Sequence, residues 1–422
     1  MKKFTLLLFF SLCYINVAAQ WTEQYSGDTV IFKSVSAVDN NIAWFSGDIQ
    51  RVYRTTNGGN NWNRTSTTGL PYPISLVNIF AINEKNALVA GTFTGDRTFV
   101  FRTSNGGNSW NQVFTQTNGF INSIWMADSM SGFIQGDPVN GRWSLWKTVN
   151  GGITWDSTGL YLPSDGDEYG FVNSMYLNSE NGINSIWFGT NNYKVYYSNN
   201  YGSSWNSQIT PASQYINSIW FSSPNSGMRG GSGTLKTSNS GHIWSSSSNI
   251  FSSGGIAGVD QKWWSIDYFM KNIFYSSDNG ESWNIQFSSD SSQFTHISIA
   301  RNFTNQYSVW AVGNPGKIFK YNTTVGISQN NSIIPTDYIL SQNYPNPFNP
   351  VTVIDYIIPS SSFVKITLFD NIGKEVRVLV NEYKNKGSYS IKVDGNNLNS
   401  GIYFYTMKSN DFSSVRKMII VK

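Results

Sequence analysis

The sequence predicts an all-β protein: a seven-bladed β-propeller closed by its own N-terminal strand, followed by a small C-terminal β-sandwich. Three observations predict this. Aromatic residues make up 16% of the 422 positions and charged residues only 13%, a balance that suits short, half-buried strands. Thirty-seven glycines, with abundant Ser and Asn, supply tight turns. One turn pattern, Ser/Thr-x-Asn/Asp-x-Gly-x-x-Trp, recurs six times at intervals of 39 to 50 residues, the period of a propeller blade.

Residues 1–19 read as a cleaved secretory signal. Lys2 and Lys3 precede an apolar run, and Ala18 and Ala19 supply the small residues of a cleavage site before Gln20. Cys13, the single cysteine, leaves with this segment, so disulfides and thiolate chemistry are excluded from the mature chain. The run is too short for a membrane span. The net charge of +4 is carried by the two ends. Residues 20–330 hold 17 basic and 18 acidic side chains, so the body lacks the electrostatic footprint of a nucleic-acid binder.

The first turn is marked by Asn57, Gly59 and Trp62, and the second by Asn105, Gly107 and Trp110. The third has Asn150, Gly152 and Trp155, and the fourth Asn200, Gly202 and Trp205. The fifth has Asn239, Gly241 and Trp244, and the sixth Asp278, Gly280 and Trp283. Each follows a short alternating strand, so each is the turn of a hairpin. The Asn or Asp side chain caps backbone N–H groups, the Gly takes positive φ, and the Trp packs the returning strand onto the sheet. Two more short strands precede each hairpin. A seventh unit, 296–321, has three strands and no following Trp. "WTEQYSGDT" (21–29) matches "WNIQFSSDS" (283–291) in pattern. Trp21 therefore takes the hairpin-Trp position, and the first strand completes the last blade.

These hairpins closely resemble the Asp-box of sialidase-like, BNR-type propellers. Residues 21–325 as a whole resemble the photosystem-assembly propellers built from the same unit. Only Asp278 keeps the family's aspartate; the other five turns carry Asn. The resemblance implies the fold, since the box is a structural turn.

A polar linker, 326–342, leads to "NYPNPFNP" and five alternating segments over 343–422, a compact sandwich. Asn346-Pro347-Phe348-Asn349-Pro350, the Ser400-Gly401-Ile402-Tyr403 stretch and the basic-apolar end resemble the type A C-terminal sorting domain of the type IX secretion system. The resemblance implies that the type IX machinery is a partner, and that the protein is secreted or attached to the outer cell surface.

No catalytic residues are assigned, and neither a metal nor a cofactor is expected. Sialidase chemistry needs three converging arginines, yet Arg54, Arg102 and Lys147 are equivalent positions beside successive hairpins. Glycoside hydrolysis needs two carboxylates at a set separation. His242 and His296 stand alone, without a ligand-spaced partner. Candidate binding residues lie in connections at the end of the sheets opposite the turns: Asp96 and Arg97; Asp137, Arg142 and Trp143; Asp165, Asp167, Glu168 and Tyr169. Their loops belong to neighbouring blades and are expected to converge. Asp165-Gly166-Asp167 hints at calcium without the full loop spacing. Trp143, Trp263, Trp264 and Tyr169 fall near strand ends, where a ring can stack on a sugar. The reading is a non-enzymatic binder of glycan, polymer or protein, without nucleic-acid partners or an integral membrane span. A propeller glycoside hydrolase and a surface assembly factor are the alternatives.

Overall fold

The computed structural model describes residues 20–93, 97–180, 183–210, 215–247, 253–267, 269, 271–301, 307–322, 338–343, 346–384 and 387–421. The expected signal segment, Asp96 and the linker core lie outside these residues. Every regular element described is a β-strand.

Seven antiparallel sheets follow one another between Gln20 and Asn322. The first consists of Phe32–Ala37, Ala43–Gly47, Arg51–Thr55 and Asn63–Arg64, in that order from the inside out. Five sheets of the same order follow, the one that opens with Ile121–Met126 having three regular strands. The last sheet holds Gln293–Arg301, Tyr307–Asn314 and Lys317–Asn322, and its outer strand is Gln20–Tyr25, with Trp21 opposite Tyr321. Innermost strands pack on one another in sequence order, and Gln293–Arg301 packs on Phe32–Ala37.

An innermost strand exposes one unpaired edge, whose N–H groups need acceptors. Side chains from the preceding sheet supply them. His296 Nδ1 accepts the Val35 N–H at 3.0 Å, Ser34 Oγ that of Ile79 at 3.3 Å, Asn78 Oδ1 that of Ile124 at 3.0 Å and Ser218 Oγ that of Ile256 at 2.8 Å. One residue pair further along, Ser298 Oγ and Ser36 Oγ accept from Ala37 and Ala81. The lone His296 thus has a structural role. Asn173 sits at φ 66° and reaches from the fourth sheet to Ser34 Oγ of the first and Asn78 Nδ2 of the second.

The six turns share one bonding scheme. In each, the Ser/Thr hydroxyl accepts the glycine N–H at 2.8–3.0 Å, the glycines being Gly59, Gly107, Gly152, Gly202, Gly241 and Gly280. The same hydroxyl donates to the Asn/Asp Oδ1 at 2.7–3.0 Å. That oxygen accepts the N–H four residues on, at 2.9–3.1 Å. The scheme adds a second cap to the one expected of the Asn or Asp side chain: the hydroxyl takes the glycine N–H. All six glycines lie between φ +78° and +85°. Gly202 shows why: a Cβ there would lie 2.8 Å from the Phe133 ring of the preceding sheet.

The turn tryptophans were expected to pack on their own sheets, and the structure extends that role across sheets. Trp62 meets Trp310 edge-on at 5.5 Å, Trp110 meets Trp44 at 6.3 Å, and Trp205 contacts both Phe133 and Phe188. Trp155 packs on the cluster around Leu88 and Val100 of the sheet before it. Trp244 lies edge-on to Phe221 at 6.2 Å, within its own sheet. Trp283 donates from Nε1 to Ser247 Oγ of the preceding sheet at 2.9 Å. Trp62, Trp110 and Trp244 are buried, whereas Trp155, Trp205 and Trp283 are half-buried.

After residue 338 two further sheets, of three and four strands, enclose one apolar cluster around Ile354, Ile366, Tyr405 and Met418. The Asn346–Pro350 segment is fastened to the last strand, Phe412–Ile420. Phe348 is buried, its N–H donates to the Ile419 carbonyl, and Asn346 Oδ1 accepts the Ile419 N–H at 2.8 Å. Tyr403 donates to the Asn399 carbonyl just before Gly401.

Candidate binding rim

The hairpin turns and the connections between sheets lie at opposite ends of the strands. At the turn end, the repeated cations are latches between sheets. Arg54 donates to the Glu84 carbonyl, Arg102 Nε to the Gly151 carbonyl at 2.8 Å and Lys320 to the Gly58 carbonyl at 3.1 Å. Each bond runs from one sheet to a loop or turn of the next. Lys147 turns instead to the Thr158 carbonyl of its own sheet. These cations do not converge on a common point.

At the connection end, the 162–170 loop is built around Glu168, whose side chain is fully buried. Glu168 Oε1 meets Lys194 Nζ at 3.1 Å and accepts from Asn192 Nδ2. Its Oε2 accepts the Tyr196 hydroxyl at 2.9 Å and the Asp165 N–H at 3.0 Å. Four partners satisfy the buried charge and close the loop on itself. Glu168 is thus corrected from a rim residue to the loop's anchor. Burial, then the hydrogen bond to Glu168, pushes the Tyr196 phenol well up. Burial pulls Lys194 down, but bonds to Asp165 and Glu168 outweigh it and raise the ammonium. Asp165 pairs with Lys194 at 2.5 Å, which holds its carboxyl low. Asp137 accepts from Asn122 Nδ2 at 2.7 Å and from the Gly170 N–H at 2.8 Å, joining the 135–143 and 162–170 loops. Burial raises its pKa despite those two bonds.

Asp167, Tyr169, Arg97 and Arg142 are exposed at this end, Arg97 and Arg142 each opening the third strand of its sheet. Asp96 lies outside the described residues. Trp143, expected on the rim, is buried against Phe188 and Tyr196. Its strand starts at Arg142, so alternation turns the next side chain into the space between sheets. Trp263 and Trp264 are buried for a different reason: their strand, Lys262–Asp267, is covered on both faces. Among the described residues no three His, Cys, Asp or Glu side chains gather.

The sequence reading missed most of the exposed rings. Tyr25, Tyr72, Tyr161, Tyr169, Tyr193, Tyr215 and Phe269 are the exposed aromatics described between 20 and 322. All lie in connections, in outward loops, or near the connection end of an outer strand. Tyr169 and Tyr215 flank Phe171, edge-on at 5.4 and 5.9 Å. A partial signal was present: Tyr25, Tyr72, Tyr193 and Tyr215 sit beside Pro, Asn or Gln, whereas the buried tryptophans stand inside strands or follow the turn glycine.

Residues 342–421 match the family described as secretion system C-terminal sorting domain. This segment is a type IX sorting domain. It marks the chain for export from the cell. No curated protein matches the chain. Among solved structures, YCF48 bound to D1 peptide is 15% identical, with a TM-score of 0.55, over 72% of this chain and 97% of that one. YCF48 from Cyanidioschyzon merolae is 16% identical, with a TM-score of 0.55, over 72% and 99%. The WD40 beta propeller domain of Doa1 is 8% identical, with a TM-score of 0.53, over 72% and 97%. The shared fold is the β-propeller. Among the described residues no helix is long and apolar enough to cross a membrane.

Proposed function

We propose that this exported protein is a non-enzymatic binding module that holds an extracellular glycan against the connection end of its propeller. In this reading residues 1–19 are a signal peptide and 20–325 a seven-bladed propeller of Asp-box type closed by the Trp21 strand. Residues 326–342 are a linker, and 343–422 a β-sandwich that carries the sorting signal. The observation that carries the proposal is that the exposed tyrosines lie at the connection end, Tyr169 and Tyr215 together on Phe171, where Glu168 and Asp137 are spent on internal bonds. Aromatic faces with a polar edge suit stacking on sugar rings. The hydrolase alternative needs two carboxylates free to act on substrate. Glu168 is enclosed by four partners and Asp137 by two, which favours binding over cleavage.

The test is a polysaccharide array probed with the full chain and read for retention and released sugar in the same wells. Retention without release is expected. Release that disappears in Asp137→Asn would replace the binder with a hydrolase.

A further inference from the structure

The innermost strands line a cavity of about 120 Å³ on the axis. Its cause is an asymmetry at one repeated position, the residue after the aliphatic side chain of each inner strand. Four consecutive sheets place Phe80, Trp125, Tyr176 and Trp220 there, and the remaining three place Ala257, Ser298 and Ser36. The aromatics pack together, Trp125 lying 5.5 Å from Phe80, 4.8 Å from Tyr176 and 5.4 Å from Trp220. They fill their half of the axis, and the small residues leave the other half open.

The polar groups around this space have hydrogens left to donate. Ser36, Ser218 and Ser298 each spend a lone pair on a backbone N–H, which leaves the hydroxyl hydrogen free to turn inward. His296 Nδ1 accepts from Val35, so the ring carries its hydrogen on Nε2. Ser123 Oγ is buried and has no hydrogen-bond partner. Among the described residues no Asp, Glu, Lys or Arg lines the space, so a bound ion would be desolvated without a counter-charge. The volume approaches the roughly 150 Å³ of an apolar cavity that admits benzene.

We propose that the axial cavity binds a small neutral molecule with a planar apolar body and one hydrogen-bond acceptor, an aryl amide or ketone by class. Its ring lies on the wall formed by Phe80, Trp125 and Trp220, and its carbonyl oxygen accepts from Ser123 and its neighbours. The site is separate from the rim and stands whether or not the rim binds glycan.

Calorimetric titration of the full chain with benzamide, and with toluene as a ring of similar size lacking the acceptor, tests this. Saturable benzamide binding is expected, with toluene at least about 5-fold weaker, as one hydrogen bond commonly gives. Ser123→Ala, which breaks no hydrogen bond in the protein, should weaken benzamide by a similar factor and leave toluene unchanged. Phe80→Trp, which fills the space, should abolish both, and Ser123→Ala keeps the test decisive if that variant fails to fold. Absence of saturable binding would overturn the proposal, as would equal affinity in Ser123→Ala or a benzamide-soaked crystal holding only water in the cavity.

Discussion

The two ends of the propeller are built from the same strands and obey different rules. At the turn end, six turns repeat one set of bonds, and cations reach from sheet to sheet. At the connection end the loops differ in length and chemistry, and the exposed aromatics collect there. The difference teaches that the repeat spends its sequence identity on closing the ring at one end. The other end is left free to vary, which is where a specific ligand can be recognised.

Breaking the turn end should cost most. Gly202→Val forces a branched side chain to positive φ and into the Phe133 ring. A loss of about 3–5 kcal/mol is expected, read as a fall in calorimetric Tm. The connection end has one comparable point, Glu168. Glu168→Ala leaves Lys194 with Asp165 alone and the buried Tyr196 hydroxyl without its acceptor, and should cost about 2–3 kcal/mol. Proteolysis should then cut within 163–169, whereas an unchanged digestion pattern would show that the loop does not depend on this residue.

The smallest effect separates the sixth turn from the other five. Asp278 is held down at about 2 by the Ser282 hydroxyl, the Ser282 N–H and the Ser276 hydroxyl. Its folded pKa lies below the ordinary 3.8, so its contribution is complete above pH 3.8, declines as the pH falls from 3.8 towards 2, and is lost below that. Asp278→Asn should flatten the unfolding midpoint across that window. The equivalent Asn200→Asp should steepen it.

The turn end was legible in the sequence because a hydroxyl, an amide, a glycine and a tryptophan must stand at fixed offsets to close a hairpin. The partners of the turn tryptophans were not, since Trp283 finds Ser247 and Trp155 finds Leu88 only once neighbouring sheets pack. The rim was hidden as well. Whether Trp143 is buried depends on which residue opens its strand, and whether Glu168 faces inward depends on Lys194 and Tyr196, more than twenty residues away. The relay of Ser34, Asn78, Ser218 and His296 around the axis could not be read either. Its donors and acceptors lie on different sheets, and His296 bonds to Val35 across 261 positions.

The most direct test of the central claim compares two double variants of the full chain in polysaccharide retention. One is Tyr169→Ala with Tyr215→Ala at the connection end. The other is Ile153→Ser with Ile243→Ser, which changes exposed residues at the turn end. All four side chains are exposed, so both double variants should stay within about 1 kcal/mol of the parent's stability, checked by their Tm. Loss of retention in the tyrosine pair alone is the predicted result. Loss in the isoleucine pair, with the tyrosine pair retaining its ligand, would place recognition at the turn end and contradict the account.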